Sequence, residues 1–196
     1  VLCMGASIGM AHGFKKATKG VSRNVAVIGD STFIHSGITG LINAVYNESG
    51  ITLIILDNST TGMTGHQDHP ATGRNLKGEK APAVLLDDLC RACGVKDISI
   101  VDAYDIAAVE DAVKKGLASP EVSVIIAQRP CVLLDKRVKP FMETDGCRNC
   151  GKCMQIGCPA ISRTADGVKI DPDQCTGCGV CAKVCPFGAI KEGVRK

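Results

Sequence analysis

Four short runs along the first two thirds of the chain are almost continuously apolar: Val25-Ala-Val-Ile28, Ile51-Thr-Leu-Ile-Ile-Leu56, Ile98-Ser-Ile-Val101 and Val122-Ser-Val-Ile-Ile-Ala127. They have strand length, and the first, second and fourth read as strands buried in a covered sheet. Between them the period changes. Ile34, Ile38, Leu41, Ile42 and Val45 recur at helical spacing until Asn47–Gly50 stops them. Val84, Leu85, Leu86 and Leu89 open a second helix that runs to Gly94. Asp105 begins a third, with Ile106, Val109, Val113 and Leu117 on one face and Gly116 and Pro120 at its end. Glu110–Lys114 and Asp111–Lys115 are i,i+4 pairs in the favourable order. Residues 1–20 carry Gly5, Gly9, Gly13 and Gly20 among Ile8, Met10, Ala11 and Phe14, which fits a short strand or loop followed by a helix. The spacing of Gly5 and Gly9 points to close helix packing. Strands alternating with helices predict an α/β domain over 1–130, a parallel sheet with helices on both faces.

The pattern stops at Arg129-Pro130. Residues 131–142 have no dominant period and read as a linker into a second domain over 143–196. There Ile161–Thr164 and Val168–Ile170 flank Ala165-Asp166-Gly167, where the Asp-Gly supports a hairpin.

Polar residues gather where strands end. Gly29-Asp30-Ser31 follows the first run, and Asp57-Asn58 ends the second. Ligands of open parallel sheets sit at the carboxyl ends of strands. Oxygens of Asp30 and Asn58 there are hard donors suited to Mg²⁺, through which a diphosphate cofactor would be held. The polar loop from Asn58 to Pro70 is long enough to suggest a role. For His35 and His66 the reading stays open between an acid/base or positioning group and a solvated side chain. For His69 the solvated loop reading is preferred.

Composition narrows the functions. The chain has 196 residues, 45% hydrophobic and 22% charged, with 3% aromatics, no Trp and a formal net charge of +3. That excludes stacking-based nucleic-acid binding, and no apolar run reaches the length of a membrane span. Twelve cysteines stand out. Cys90 and Cys93 fall on the second helix with no other ligand pair beside them and read as small buried side chains. Eight others form two runs, Cys147-x2-Cys150-x2-Cys153-x4-Cys158-Pro159 and Cys175-x2-Cys178-x2-Cys181-x3-Cys185-Pro186, an internal repeat in register at the first three cysteines. There is no signal-peptide pattern, so this favours metal ligation in a reducing, cytoplasmic setting. Thiolates on two four-iron cubes would bring the net charge to about −1. Zinc would prefer paired CxxC knuckles to CxxCxxC triplets.

The two runs resemble bacterial two-cluster ferredoxins. The resemblance assigns Cys147, Cys150, Cys153 and Cys185 to one 4Fe-4S cluster, and Cys175, Cys178, Cys181 and Cys158 to the other. The additional residue within Met154-Gln-Ile-Gly157 is expected as a local bulge. Ile156, Ile161, Ile170, Val180, Val184 and Ile190 can shield the clusters from water. Gly29-Asp30-Ser31, followed one helix and one strand later by Asp57-Asn58, resembles the thiamine-diphosphate motif, with Ser31 and Asp57 as departures. It implies Mg²⁺ held by Asp30, the Asn58 side chain and the Thr60 carbonyl, with Gly5, Ser7, Gly29 and Ser31 as further cofactor contacts.

Together these parts resemble the 2-oxoacid:ferredoxin oxidoreductases. The wording Met4–Gly13, Gly29–Gly37 and Asp57–Gln67 is similar to the C-terminal part of the large subunit of the indolepyruvate type. The resemblance implies oxidative decarboxylation of an arylpyruvate to an acyl-CoA. Its other implications are ferredoxin as acceptor, a smaller beta subunit, and a longer chain whose preceding domain supplies the glutamate that activates the aminopyrimidine. The isolated chain is then expected to bind clusters but turn over no keto acid. Rival readings are a pyruvate-type enzyme and a pure electron-transfer module.

Overall fold

In a computed structural model the residues described are 3–134 and 142–193. The chain divides into two compact units, Val1–Cys131 and Val132–Lys196. Most of the expected linker 131–142 lies outside the described residues.

The first unit is built on four parallel strands, β1 (Val25–Gly29), β2 (Thr52–Asp57), β3 (Asp97–Asp102) and β4 (Ser123–Gln128), in the order β1-β2-β4-β3. Helix α1 (Ala6–Ala17) precedes β1. The second helix, α2, is continuous from the end of β1: an α-turn Asp30–Thr32, a π-helical segment Phe33–Gly37 and an α-helical body Ile38–Tyr46. Helices α3 (Leu86–Ala92) and α4 (Ile106–Ala118) follow β2 and β3.

The strand order decides which face each helix covers. The chain moves one way from β1 to β2 to β3 and then turns back to β4. Right-handed crossovers therefore put α2 and α3 on one face and α4 on the other. Accordingly Ile8, Leu41, Ala44, Leu86 and Cys90 pack with Ala26, Ile28, Leu53, Ile55, Val124 and Ile126 in one core. On the opposite face Gly116 of α4 lies directly against Thr52 and Ser123, where a Cβ would sit 2.8 Å from the Thr52 methyl.

Three expectations are corrected. β1 is not buried on both faces: Ala26 and Ile28 are, but Val25 and Val27 are 42% and 48% exposed, because α4 packs over β3, β4 and β2 and leaves the edge strand uncovered. The buried positions of α4 are Ala112 and Gly116, while Val109, Val113 and Leu117 are only half-buried. The sheet surface there carries Thr52 and Ser123, and close approach selects the smallest residues. Close packing at Gly9 is absent too, since a Cβ at Gly9 or Gly13 would meet nothing within 4 Å. Gly5 has the φ of +84° that starts α1, with Ser36 of the π segment against it.

In the second unit, β5 (Met142–Thr144) pairs antiparallel with β8 (Ile190–Glu192), and β6 (Ile161–Thr164) with β7 (Gly167–Ile170). A 3-10 segment, Lys152–Ile156, carries Cys153, and helix α5 (Val180–Val184) carries Cys181, the third cysteine of each run. The additional residue of the first run is absorbed by that 3-10 turn, closed by Gly157 at φ +70°, and not by a bulge. Among the described residues no helix is long and apolar enough to cross a membrane.

Candidate cofactor site and cysteine clusters

β1 ends at Gly29 and β2 at Asp57, side by side in the sheet, and the adjoining loop folds back over both ends. Asp30, the first residue of α2, is 2% exposed. Its Oδ1 accepts the Ser31 backbone N–H at 2.8 Å, and its Oδ2 accepts that of Ser59 at 3.0 Å. Asp57 is 8% exposed. Its Oδ1 accepts from the Ser59 N–H and its Oδ2 from the Gln128 amide at 2.7 Å, Gln128 being its register partner on β4. The departure at 57 thus builds the site: the carboxylate ties the loop to the next strand. Burial pushes the Asp30 carboxyl above its ordinary 3.8. The Ser31 N–H opposes this, and the neighbouring Asp57 adds to it.

Asn58 Oδ1 accepts the Thr60 N–H at 3.1 Å in an Asx turn, and Thr60 is buried. The Thr61 hydroxyl donates to Ser31 Oγ at 2.9 Å, joining the loop to the start of α2. The structure therefore brings Gly29, Asp30, Ser31, Asn58 and Thr60 to one sheet end. Among the described residues no Lys or Arg is ion-paired with Asp30 or Asp57. Two adjacent buried carboxylates with no Lys or Arg to pair them among the described residues, beside an amide oxygen, fit a hard divalent cation.

The other candidates separate. His35 is exposed in the π segment. His66 is half-buried at φ +66°, with Nδ1 enclosed and unpartnered. No hydrogen bond links either to Asp30. Ser7 Oγ is likewise enclosed without a partner in the first turn of α1. The solvated reading of His69 is overturned. It is 9% exposed, with Nε2 3.2 Å from Asp30 Oδ2. Gln128 had no signal in the sequence; His69 had a weak one, a His-Pro followed by Thr72, which forms a reciprocal cap on the 3-10 turn Pro70–Thr72.

The cysteine runs fold as a true repeat. Asn149 and Gly177, at matching positions in the two runs, both take positive φ (49° and 67°), and Gly151 and Gly179 both have φ of 75°. The Asn149 N–H points to Cys147 Sγ and the Gly177 N–H to Cys175 Sγ, each at 3.4 Å. Cys153 and Cys181, third in each run, are buried. Cys147, Cys150, Cys153 and Cys185 line one cavity, with Phe187 and Val168 among its walls. Burial pushes the Cys153 thiol up, and the neighbouring Cys147, Cys150 and Cys185 add to it. Burial lifts Cys181 to about 11, with Cys178 and Cys175 contributing. Thiols that crowd in this way become thiolates when a cationic core compensates them. Cys158 packs against the second unit's apolar core, which includes Met142, Ile161, Val168 and Ile170. Cys90 stands apart, fully buried in the first unit and pushed up to about 12 by burial.

A parallel sheet with polar groups at adjoining strand ends is the architecture of an α/β ligand-binding domain, and comparison specifies which. Residues 1–127 match the family model described as "Thiamine pyrophosphate enzyme, C-terminal TPP binding domain", and the chain belongs to that family. Residues 168–191 match a 4Fe-4S binding domain. The chain is 43% identical over 198 residues to "Indolepyruvate oxidoreductase subunit IorA" of Archaeoglobus fulgidus, covering 97% of this chain and 32% of that protein. It thus spans about a third of the length of that curated relative. Over 55 residues it is 44% identical to "Pyruvate synthase subunit PorD" of Methanothermobacter marburgensis, covering 27% of this chain and 63% of that one. Among solved structures, the 2-oxoglutarate:ferredoxin oxidoreductase of Magnetococcus marinus superposes with a TM-score of 0.56 at 15% identity, over 65% of this chain and 45% of that one, a likeness of fold.

Proposed function

We propose that this chain holds the diphosphate end of thiamine diphosphate through Mg²⁺ within a 2-oxoacid:ferredoxin oxidoreductase that converts arylpyruvates, indolepyruvate among them, to acyl-CoA. The observation that carries the reading is the buried pair Asp30 and Asp57 at adjoining strand ends, with no Lys or Arg paired to either among the described residues, in one chain with two geometrically matched cysteine runs. Asp30, the Asn58 side-chain oxygen and the Thr60 carbonyl hold the metal. The N-terminus of α2, which begins at Asp30, would offer a diphosphate a favourable dipole sign. Thiamine diphosphate, when bound, supplies the electron sink for decarboxylation.

The chain's own residues fix and enclose that end of the cofactor. Gln128 and Ser59 hold Asp57, and Thr61 holds Ser31, so loop and helix present their oxygens on a rigid frame. Cys147, Cys150, Cys153 and Cys185 would hold one 4Fe-4S cluster and Cys175, Cys178, Cys181 and Cys158 a second, and these would supply one-electron carriers toward ferredoxin in the cytoplasm. Coenzyme A receives the acyl group, and a smaller beta subunit completes the enzyme. The identity with the indolepyruvate oxidoreductase subunit supports the arylpyruvate choice over pyruvate.

Turnover of indolepyruvate, phenylpyruvate and pyruvate by the complete complex tests the substrate class, and faster turnover of pyruvate would refute it. In the full-length subunit Asp30→Ala should abolish thiamine-diphosphate binding. Unchanged binding would refute the metal assignment.

A further inference from the structure

We infer that His69 is a positioning residue that holds the Asp30 carboxylate, and with it both ends of the loop 58–70, in the geometry that grips the cation. This rests on the Mg²⁺ reading above.

Asp30 Oδ2 is where the loop begins and ends. The Ser59 N–H reaches it from the start of the loop, and His69 Nε2 stands 3.2 Å from it at the finish. The tautomer follows from the other ring nitrogen. His69 Nδ1 accepts the Ala71 N–H at 3.4 Å, so the proton of the neutral ring belongs on Nε2, facing the carboxylate. Nε2 is enclosed and has no partner in full hydrogen-bond geometry; the acceptor that faces it is Asp30 Oδ2, 3.2 Å away. A buried donor with one acceptor in reach is costly unless that acceptor is used.

The backbone makes the ring a fixed platform. Pro70 restricts His69 to extended geometry, observed at φ −143° and ψ 170°. The Thr72 hydroxyl donates to the His69 carbonyl at 2.9 Å, and the Val84 N–H donates to the Pro70 carbonyl at 2.9 Å. His69 thus reaches Asp30 from a braced turn, opposite in the chain to the Ser31 and Ser59 amides. Groups that orient a metal-binding carboxylate typically carry 10–100-fold of the metal affinity.

The test is calorimetric titration of Mg²⁺ in saturating thiamine diphosphate on the full-length subunit, comparing the parent with His69→Leu, His69→Gln and Asp30→Ala. Leucine keeps the volume and removes the donor, whereas glutamine returns an N–H near the position of Nε2. His69→Leu should weaken Mg²⁺ about 10–100-fold and His69→Gln should recover to within about threefold of the parent, both with unchanged iron content. If His69→Leu binds like the parent while Asp30→Ala does not, the inference fails and the Mg²⁺ reading stands. Equal losses for leucine and glutamine would make His69 a packing residue and also overturn it. Unchanged binding by Asp30→Ala would overturn both.

Discussion

Replacing Phe33 by alanine should loosen the sheet end that carries Asp30. Phe33 is fully buried in the π segment, shortly after Asp30. Its ring occupies the slot that Gly37 leaves open: a Cβ at Gly37 would lie 2.7 Å from Phe33 Cδ2 and 2.9 Å from Ile28 Cδ1. Neighbours fixed in a helix and a central core cannot collapse into the space, so Phe33→Ala should cost about 3–5 kcal/mol. Domains hold about 5–15 kcal/mol in total, so this is a large share. For a unit of this size it lowers the unfolding midpoint by roughly 10–20 °C. Far-ultraviolet circular dichroism of the full chain during thermal unfolding reads the shift. Phe33→Leu, which refills most of the volume, should cost less than about 1.5 kcal/mol. A loss under about 1 kcal/mol for the alanine variant would refute the view that this packing anchors the site.

Gly116→Ala should destabilise by about 0.5–2 kcal/mol, the clash with Thr52 outweighing the gain in helix propensity, and Thr52→Ser should relieve most of it in urea unfolding of the double variant. Lys115, 2.6 Å from Oδ1, holds the Asp97 carboxyl below 3.8, with the Ser123 hydroxyl also donating to it. The depressed value means this contribution is full above 3.8 and disappears as pH falls through the lower folded value. Asp97→Asn should therefore cost about 0.5–1.5 kcal/mol at neutral pH, with the gap closing in acid across a pH series of urea melts. Cys150→Ser should remove one cluster, halving iron from about eight to about four per chain, and unchanged iron would contradict its ligand role.

The strands were legible because each is a continuous apolar run, and the repeat of the two cysteine runs because their spacing is local. What escaped was set by distant parts of the chain. Val25 and Val27 look like core, yet their exposure follows from β1 being an edge that α4 does not reach. Val109, Val113 and Leu117 are more apolar than Ala112 and Gly116, yet the smaller pair is buried, with Gly116 directly against Thr52 and Ser123. Asp30 and Asn58 declared themselves as oxygens at strand ends. His69 sits in a polar loop, and only the fold carries it back to a carboxylate at the far end of the preceding strand–helix–strand unit. The anchoring of Asp57 by Gln128 likewise depends on β4 inserting between β2 and β3.

In the function proposed above, one chain joins a metal-held thiamine diphosphate to two iron–sulfur clusters through separate residue sets. Anaerobic iron and thiamine analysis of the full-length subunit and its Asp30→Ala variant, purified in parallel, tests it most directly. The parent should carry about eight irons and one thiamine diphosphate per chain, and the variant should keep the iron and lose the thiamine. Iron near four in the parent, or thiamine retained by the variant, would contradict it.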